Sequence, residues 1–166
     1  MLNLRPATPS DVAAILGFIR ELALYEREPD AVLTTEDDLL RNGFTEPRRF
    51  HCLMAEWNGT PVGFALYFYN YSTWEGRPGI YLEDLYVQPA LRGKGIGKSI
   101  LTRLAAIAVE ENCARFEWSV LDWNQPSIDF YHAMGAVVKS EWRGMRVDGQ
   151  ALRNLAKQYV TEEVAK

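Results

Sequence analysis

Two short stretches carry residue types suited to chemistry. The first is RGKGIGKS, Arg92 to Ser99, which sets three glycines among three cations in eight residues. Backbone N–H groups around small residues can converge on an oxyanion, and the positive end of a following helix adds to that field. Two phosphate motifs fail on spacing. A Walker A loop needs its first glycine where Arg92 stands, and a dinucleotide fingerprint needs glycine where Lys98 stands. What remains is Arg-x-x-Gly-x-Gly, with Arg92, Lys94 and Lys98 adding charge. A turn that merely connects two elements needs only one glycine. The second stretch is IYLEDLYV, in which Glu83 and Asp84 interrupt an apolar run. Carboxylates there are costly unless they face a polar cleft, and neighbours on a strand point to opposite faces.

The elements that must position these residues follow from hydrophobic period and caps. Leu2 to Arg5 is a short strand, and Thr8-Pro9-Ser10-Asp11 starts a helix whose stripe runs Val12, Ile15, Leu16, Ile19, Leu22 and Ala23 toward Tyr25 and Glu26. Thr34-Thr35-Glu36-Asp37 caps a second helix, which Gly43 is expected to end in left-handed geometry. FHCLMAEW and PVGFALYFYNY then flank Asn58-Gly59, a hairpin signal, and IYLEDLYV extends the meander. After the glycine turn, Ile100, Leu101, Leu104, Ile107 and Ala108 give a helix that Asn112 stops. RFEWSVL is the next strand, and Asn124-Gln125-Pro126-Ser127 caps SIDFYHAM, ended by Gly135. AVVKSEW and MRV resume extended structure before Asp148 caps QALRNLAKQY. This order is α/β with a mixed sheet, in which IYLEDLYV and RFEWSVL run parallel through a right-handed crossover. The glycine turn then sits at the carboxyl end of a central strand, where open sheets put their ligands.

The whole chain narrows the classes of function. Its 166 residues, 48% of them hydrophobic, suit one domain spanning 1–166 with a real core. Eighteen basic against 22 acidic residues give a net charge of −4 and a pI near 5.3, which argues against nucleic acid or an anionic membrane surface as partner. Cys52 and Cys113 have no metal-ligand companions and read as reduced thiols. His51 and His132 lack ligand spacing to one another, so no metal site is expected. With no apolar run of the ~18 residues a bilayer needs, a cytosolic, soluble chain acting on small molecules is expected.

A family resemblance sharpens this. LEDLYVQPALRGKGIG followed by VLDWNQPSIDFYHAMGA resembles the GNAT N-acetyltransferases, whose Arg/Gln-x-x-Gly-x-Gly/Ala loop holds the pyrophosphate of acetyl coenzyme A. RPAT, ELALYE, FHCLMAE, VGFALYFY, YSTWEGR and YLEDLYV are similar to the diamine acetyltransferase branch, which includes spermidine/spermine acetyltransferases. YSTWEGR and VLDWNQ are closer to its thialysine-acetylating members. The resemblance implies the GNAT fold, with a parallel strand pair splayed around the coenzyme, and a cytoplasmic homodimer.

It also implies roles. Coenzyme contacts would come from Leu85, Tyr86 and Val87 on the splayed strand, from Arg92, Gly93, Lys94, Gly95, Ile96, Gly97 and Lys98, and from Asn124, Ser127 and Tyr131. Aminolysis of a thioester needs a neutral amine, and an alkylammonium of pKa about 10.4 is only about 0.04% neutral at pH 7. The resemblance favours Glu83 as base, through water, with Asp84 aiding amine binding. Either acid also fits a structural ion pair. Tyr131 would donate to the departing thiolate, although with Ile128 and Met134 it also lies at the spacing of a packed aromatic. Tyr25, Glu26 and Trp74 match the acceptor cleft of the family, where aromatics and an acid meet a cation. Ser72 replaces an acid that polyamine-acetylating relatives carry two residues before this Trp, and the shortened segment after Gly135 weakens any acceptor role for Glu141. The expected reaction is direct acetyl transfer to the primary amine of a small cationic molecule. The alternatives are a silent acyl-CoA-binding module and a peptide or protein N-acetyltransferase.

Overall fold

A computed structural model describes residues 1–159. The chain forms two compact units, Met1–Asp129 and Phe130–Lys166, and the first carries the whole sheet. Its elements are β1 (Leu2–Pro6), α1 (Val12–Tyr25), α2 (Glu36–Gly43), β2 (His51–Trp57), β3 (Thr60–Ser72), β4 (Arg77–Val87), α3 (Ile96–Glu110) and β5 (Phe116–Trp118). Helix α4 (Gln125–Ala133) begins in the first unit, and α5 (Gly149–Ala156) belongs to the second.

The five strands lie in the order β1-β2-β3-β4-β5, antiparallel through β4 and parallel between β4 and β5. The β2–β3 hairpin turns on Asn58 and Gly59 at φ of 52° and 81°, the left-handed pair that a two-residue hairpin requires. Alternation gives the sheet two apolar faces. Met54, Phe64, Leu66 and Tyr86 pack under α1 and α2 with Ile15, Leu16 and Phe18. The opposite face, with Ala65, Ile80 and Leu82, meets the buried stripe Ile96, Ile100, Leu101 and Leu104 of α3. Phe18 fixes α1 over the strands, its ring 5.9 Å from those of both Phe64 and Tyr86.

The turn into α1 is tied down by charge. Asp11 takes both terminal nitrogens of Arg5 at 2.7 and 2.8 Å and the Thr8 N–H at 2.7 Å, while Arg5 also reaches Glu56. The guanidinium, aided by Thr8, holds the Asp11 carboxyl down at about 2.

Three expectations need correction. Gly43 is helical and its φ is not positive; a Cβ there would lie 2.4 Å from the Phe50 ring, so the glycine makes room for an aromatic side chain. RFEWSVL supplies only the three residues Phe116–Trp118 to the sheet. AVVKSEW and MRV form no strand among the described residues, because strand-forming side chains gain little without a neighbouring strand to pair with.

Candidate active site

Between β4 and α3 the chain makes a 3-10 turn, Pro89–Leu91, and then the glycine loop. Gly93 and Gly95 both adopt φ of 77°, with Gly95 serving as the N-cap of α3. This alternation of left-handed glycines turns successive amides toward one side. Among the described residues, the amides of Gly93 through Lys98 donate to no backbone carbonyl; the first such bond runs from Ser99 N to Gly95 O at 2.9 Å. Ile96 holds the loop in place through a side chain that is buried in the core. The Lys94 ammonium lies 5.2 Å from the centroid of the Trp57 ring. The loop therefore presents orphan donors, the positive end of a fifteen-residue helix and two lysines to an anion, which fits a diphosphate.

The strand leading to this loop is built to lose its neighbour. β5 pairs with β4 only from Ile80↔Phe116 to Leu82↔Trp118, while β4 continues to Val87. A bulge at the same level changes what that free edge offers. The register passes from Tyr67↔Leu82 to Leu66↔Asp84, leaving Glu83 as the extra residue. Before the bulge, Ile80 N donates toward β5, to Arg115 O at 3.0 Å; after it, Gln88 N donates toward β3, to Val62 O at 2.9 Å. Residues of the same parity would point the same way in an unbroken strand, so the bulge has exchanged the two edges. Leu85 and Val87 consequently turn their N–H groups to the side where β5 has ended. Tyr86 turns its N–H to β3 and buries its ring against α1, its hydroxyl donating to Glu21 at 2.6 Å.

Glu26, Glu83 and Asp84 meet beside this edge. Burial, with the charges of Glu83 and Glu26, pushes the Asp84 carboxyl up to about 6. Burial and the charge of Glu83 raise Glu26 as well. Such a cluster accepts a proton readily and favours a cation between its members. Glu83 itself is exposed. Glu26 is placed by the end of α1, where Arg27 at φ of 67° reverses the chain and lays its guanidinium 4.0 Å from the Trp123 centroid. The Tyr25 hydroxyl donates to Asn124 Oδ1 at 3.1 Å.

The remaining predicted residues are distributed more widely. Buried Asn124 accepts the Ile128 N–H on its carbonyl at the start of α4, and Ser127 follows in the first turn. Arg92 turns its side chain back, Nε donating to Val87 O at 3.0 Å. Trp74 is 89% exposed in the turn between β3 and β4, and the strand from Arg77 to Glu83 separates it from the carboxylates by about 20 Å at 3.3 Å per residue. Ser72 is buried and accepts the Glu75 N–H at 3.2 Å, so it shapes that turn. Tyr131 lies in the second unit, half-buried, with its ring 5.5 Å from that of Phe130. Glu141 pairs with Lys139 at 2.8 Å. His51 stacks on Tyr67, and His132 Nδ1 lies 3.0 Å from Ala136 O. Among the described residues no cluster of His, Cys, Asp or Glu could hold a metal ion.

Sequence reasoning passed over Glu21, Arg27 and Trp123. Glu21 precedes Tyr25 by four residues and so shares its helix face, which was a usable signal. The left-handed Arg27 carries no signature in the sequence.

Comparison with known proteins gives the family. Residues 17–136 match the model of the Acetyltransferase (GNAT) family. The chain is 43% identical over 164 residues to a thialysine N-epsilon-acetyltransferase of Sus scrofa, covering 92% of this chain and 96% of that one. It is 40% identical to a spermidine/spermine N(1)-acetyltransferase-like protein 1 of Homo sapiens, covering 93% of this chain and 24% of that longer one. Among solved structures, an integron cassette protein from the mobile metagenome of V. cholerae superposes with a TM-score of 0.80 at 28% identity, covering 95% of this chain and 98% of that one.

Proposed function

The chain belongs to the GNAT acetyltransferase family and is an N-acetyltransferase that acts on a small amine; we propose that its acceptor is the side-chain amine of a thialysine- or diamine-like cation and that the β4 edge and the glycine loop bind acetyl-CoA. One observation carries this reading: the bulge at Glu83 opens the Leu85 and Val87 amides between the orphan donors of Gly93–Lys98 and the carboxylates Glu26, Glu83 and Asp84.

When bound, acetyl-CoA supplies a thioester whose C–S bond breaks as the amine's N–C bond forms, with one proton lost from nitrogen and one gained by sulfur. The loop amides, with Lys94 and Lys98, hold the diphosphate. Leu85 and Val87 offer N–H donors where negative charge develops on the acyl oxygen, the arrangement that stabilises an oxyanion. Glu83 takes the amine proton through water, and Asp84 and Glu26 hold the cation. Tyr131 gives its phenolic proton to sulfur, and Asn124 and Ser127 line the coenzyme arm. Tyr25 faces the aliphatic part of the acceptor, whereas Trp74, about 20 Å along the strand from the carboxylates, stands outside that cleft. Ser72, committed to its turn, supplies no charge for a long polyamine, which favours a short acceptor.

Tyr69, Tyr71 and Trp74, exposed along the β3–β4 hairpin, suit the contact of a homodimer, which sedimentation tests. A cytoplasmic location accords with a charge balance that favours neither membrane nor nucleic acid. No helix among the described residues is long and apolar enough to cross a membrane.

Thiol release from acetyl-CoA, measured with thialysine, lysine, ornithine, short diamines and spermine, tests the acceptor assignment. Thialysine or a short diamine should give the highest kcat/KM. Preference for spermine or for a peptide amine refutes the assignment, and coenzyme binding without thiol release on any amine refutes catalysis.

A further inference from the structure

We propose that the Arg92 side chain is a positioning residue for the amine acceptor rather than a ligand of the coenzyme's phosphates; this rests on the acetyl-transfer reading above. Arg92 is the first residue after the 3-10 turn and directly precedes the glycine loop, in extended geometry at φ of −65° and ψ of 157°. Its side chain nevertheless turns away from the loop amides. Nε donates to Val87 O at 3.0 Å, and the guanidinium lies 5.1 Å from the Tyr25 centroid and 5.7 Å from the Tyr86 centroid.

Each contact has a physical reason. After the bulge, Val87 turns its carbonyl as well as its N–H to the edge that β5 has vacated, so the sheet cannot supply that carbonyl with a donor. Arg92 supplies it, leaving the N–H free. A half-buried carbonyl is expensive to leave unpaired, and a charged donor is a strong partner for it. The two tyrosines then offer ring faces to the same cation, and arginine is the side chain suited to hydrogen bonding and stacking together. Tyr25 is held at its other end by Asn124 and is followed immediately by Glu26 of the carboxylate cluster. Arg92 thus joins three things: the end of the strand that receives the acyl group, the start of the diphosphate loop, and the end of α1 that carries the acceptor groups. An open groove of about 360 Å³ lined by Glu21, Leu24, Tyr25, Tyr86, Pro89 and Arg92 lies over this junction.

The proposal separates two quantities that a phosphate ligand would link in the opposite way. For Arg92→Ala, the KM of the amine should rise about tenfold while the calorimetric Kd for acetyl-CoA changes by less than about threefold. Arg92→Lys, which keeps the charge and a donor but not the fork, should recover part of the amine KM. Hydrogen exchange at the Glu26 and Glu28 amides should quicken in Arg92→Ala while that of Ile100–Leu104 stays unchanged. A coenzyme Kd weakened tenfold with the amine KM unchanged, or both weakened equally, overturns the proposal. If the wild-type protein releases no thiol with any of the amines, the acetyl-transfer reading falls. The exchange measurement then decides alone, and unchanged protection at Glu26 and Glu28 overturns the positioning role. Should Arg92→Ala fail to fold, Arg92→Lys carries the same measurements, and wild-type values in all of them overturn the proposal.

Discussion

Replacing Asp84 by Asn should stabilise the fold at neutral pH while impairing the enzyme. Burial, then the charges of Glu83 and Glu26, push this carboxyl up to about 6, against about 3.9 for a free aspartate. The folded state therefore holds the proton more tightly than the unfolded state. Stability contributed by the protonated form is fully present below about pH 4 and is lost as pH rises through about 6. At about 1.36 kcal/mol per pH unit, that interval is worth about 3 kcal/mol. Asparagine keeps the shape and carries no charge, so Asp84→Asn should be more stable than the wild type by about 2 to 3 kcal/mol at pH 7, raising Tm by about 5 to 10 °C. The advantage should shrink to nearly nothing near pH 4. Glu26 is also raised, by burial and Glu83, and because its charge acts on Asp84 the two carboxyls titrate as a coupled pair, so the difference between the two proteins reports the removal of one member of that pair. Urea unfolding at a series of pH values between about 4 and about 8 reads the difference directly. Amine kcat/KM should fall in the same variant, since the costly charge is the one that holds the cation. A variant less stable than wild type at pH 7, or one whose advantage is the same at both ends of the series, refutes the reasoning.

Other measurements probe the remaining parts. A Cβ at Gly95 would meet no atom within 4 Å, so Gly95→Ala is penalised only by its φ of 77°, about 1 to 2 kcal/mol. Relaxation of the free loop should convert that into about a 5- to 30-fold weaker Kd for acetyl-CoA by calorimetry, and a change under about twofold excludes the loop as the diphosphate site. Tyr131→Phe should lower turnover by about 10² to 10⁴ with coenzyme affinity nearly intact, and unchanged turnover across neutral and mildly alkaline pH removes Tyr131 from the chemistry. Asp11 titrates at about 2 in the fold, so its contribution is present above about pH 4 and lost as pH falls toward 2. Asp11→Asn should accordingly cost about 2 kcal/mol at pH 7 and progressively less below about pH 4, as read by denaturant unfolding.

The sequence made the glycine loop legible because phosphate cradles demand glycine at fixed offsets, and Gly93 and Gly95 do take left-handed geometry. The Asn58-Gly59 hairpin and the parallel crossover were legible for equally local reasons. The carboxylates were visible as charges in an apolar strand, although that they meet Glu26 was suggested by resemblance alone. The bulge was not legible, since nothing in IYLEDLYV distinguishes an extra residue from an alternating one; register is decided by the partner strand. The same applies to Gly43, whose purpose lies in Phe50. The strand-like AVVKSEW misled because β-propensity measures fit to a neighbour and the segment has none among the described residues.

The supernumerary residue in β4 leaves the strand's geometry and its proposed chemistry separable. Because Glu83 stands outside the ladder with β3, removing it would join Leu82 directly to Asp84 and leave the pairs Leu66↔Asp84, Ala65↔Leu85 and Gly63↔Val87 in register, so the Leu85 and Val87 donors would keep the edge that β5 has vacated. Such a deletion would take away the proposed proton acceptor alone. A descendant that holds the coenzyme without turning it over could therefore arise from this chain in a single event, with the rest of the strand unchanged.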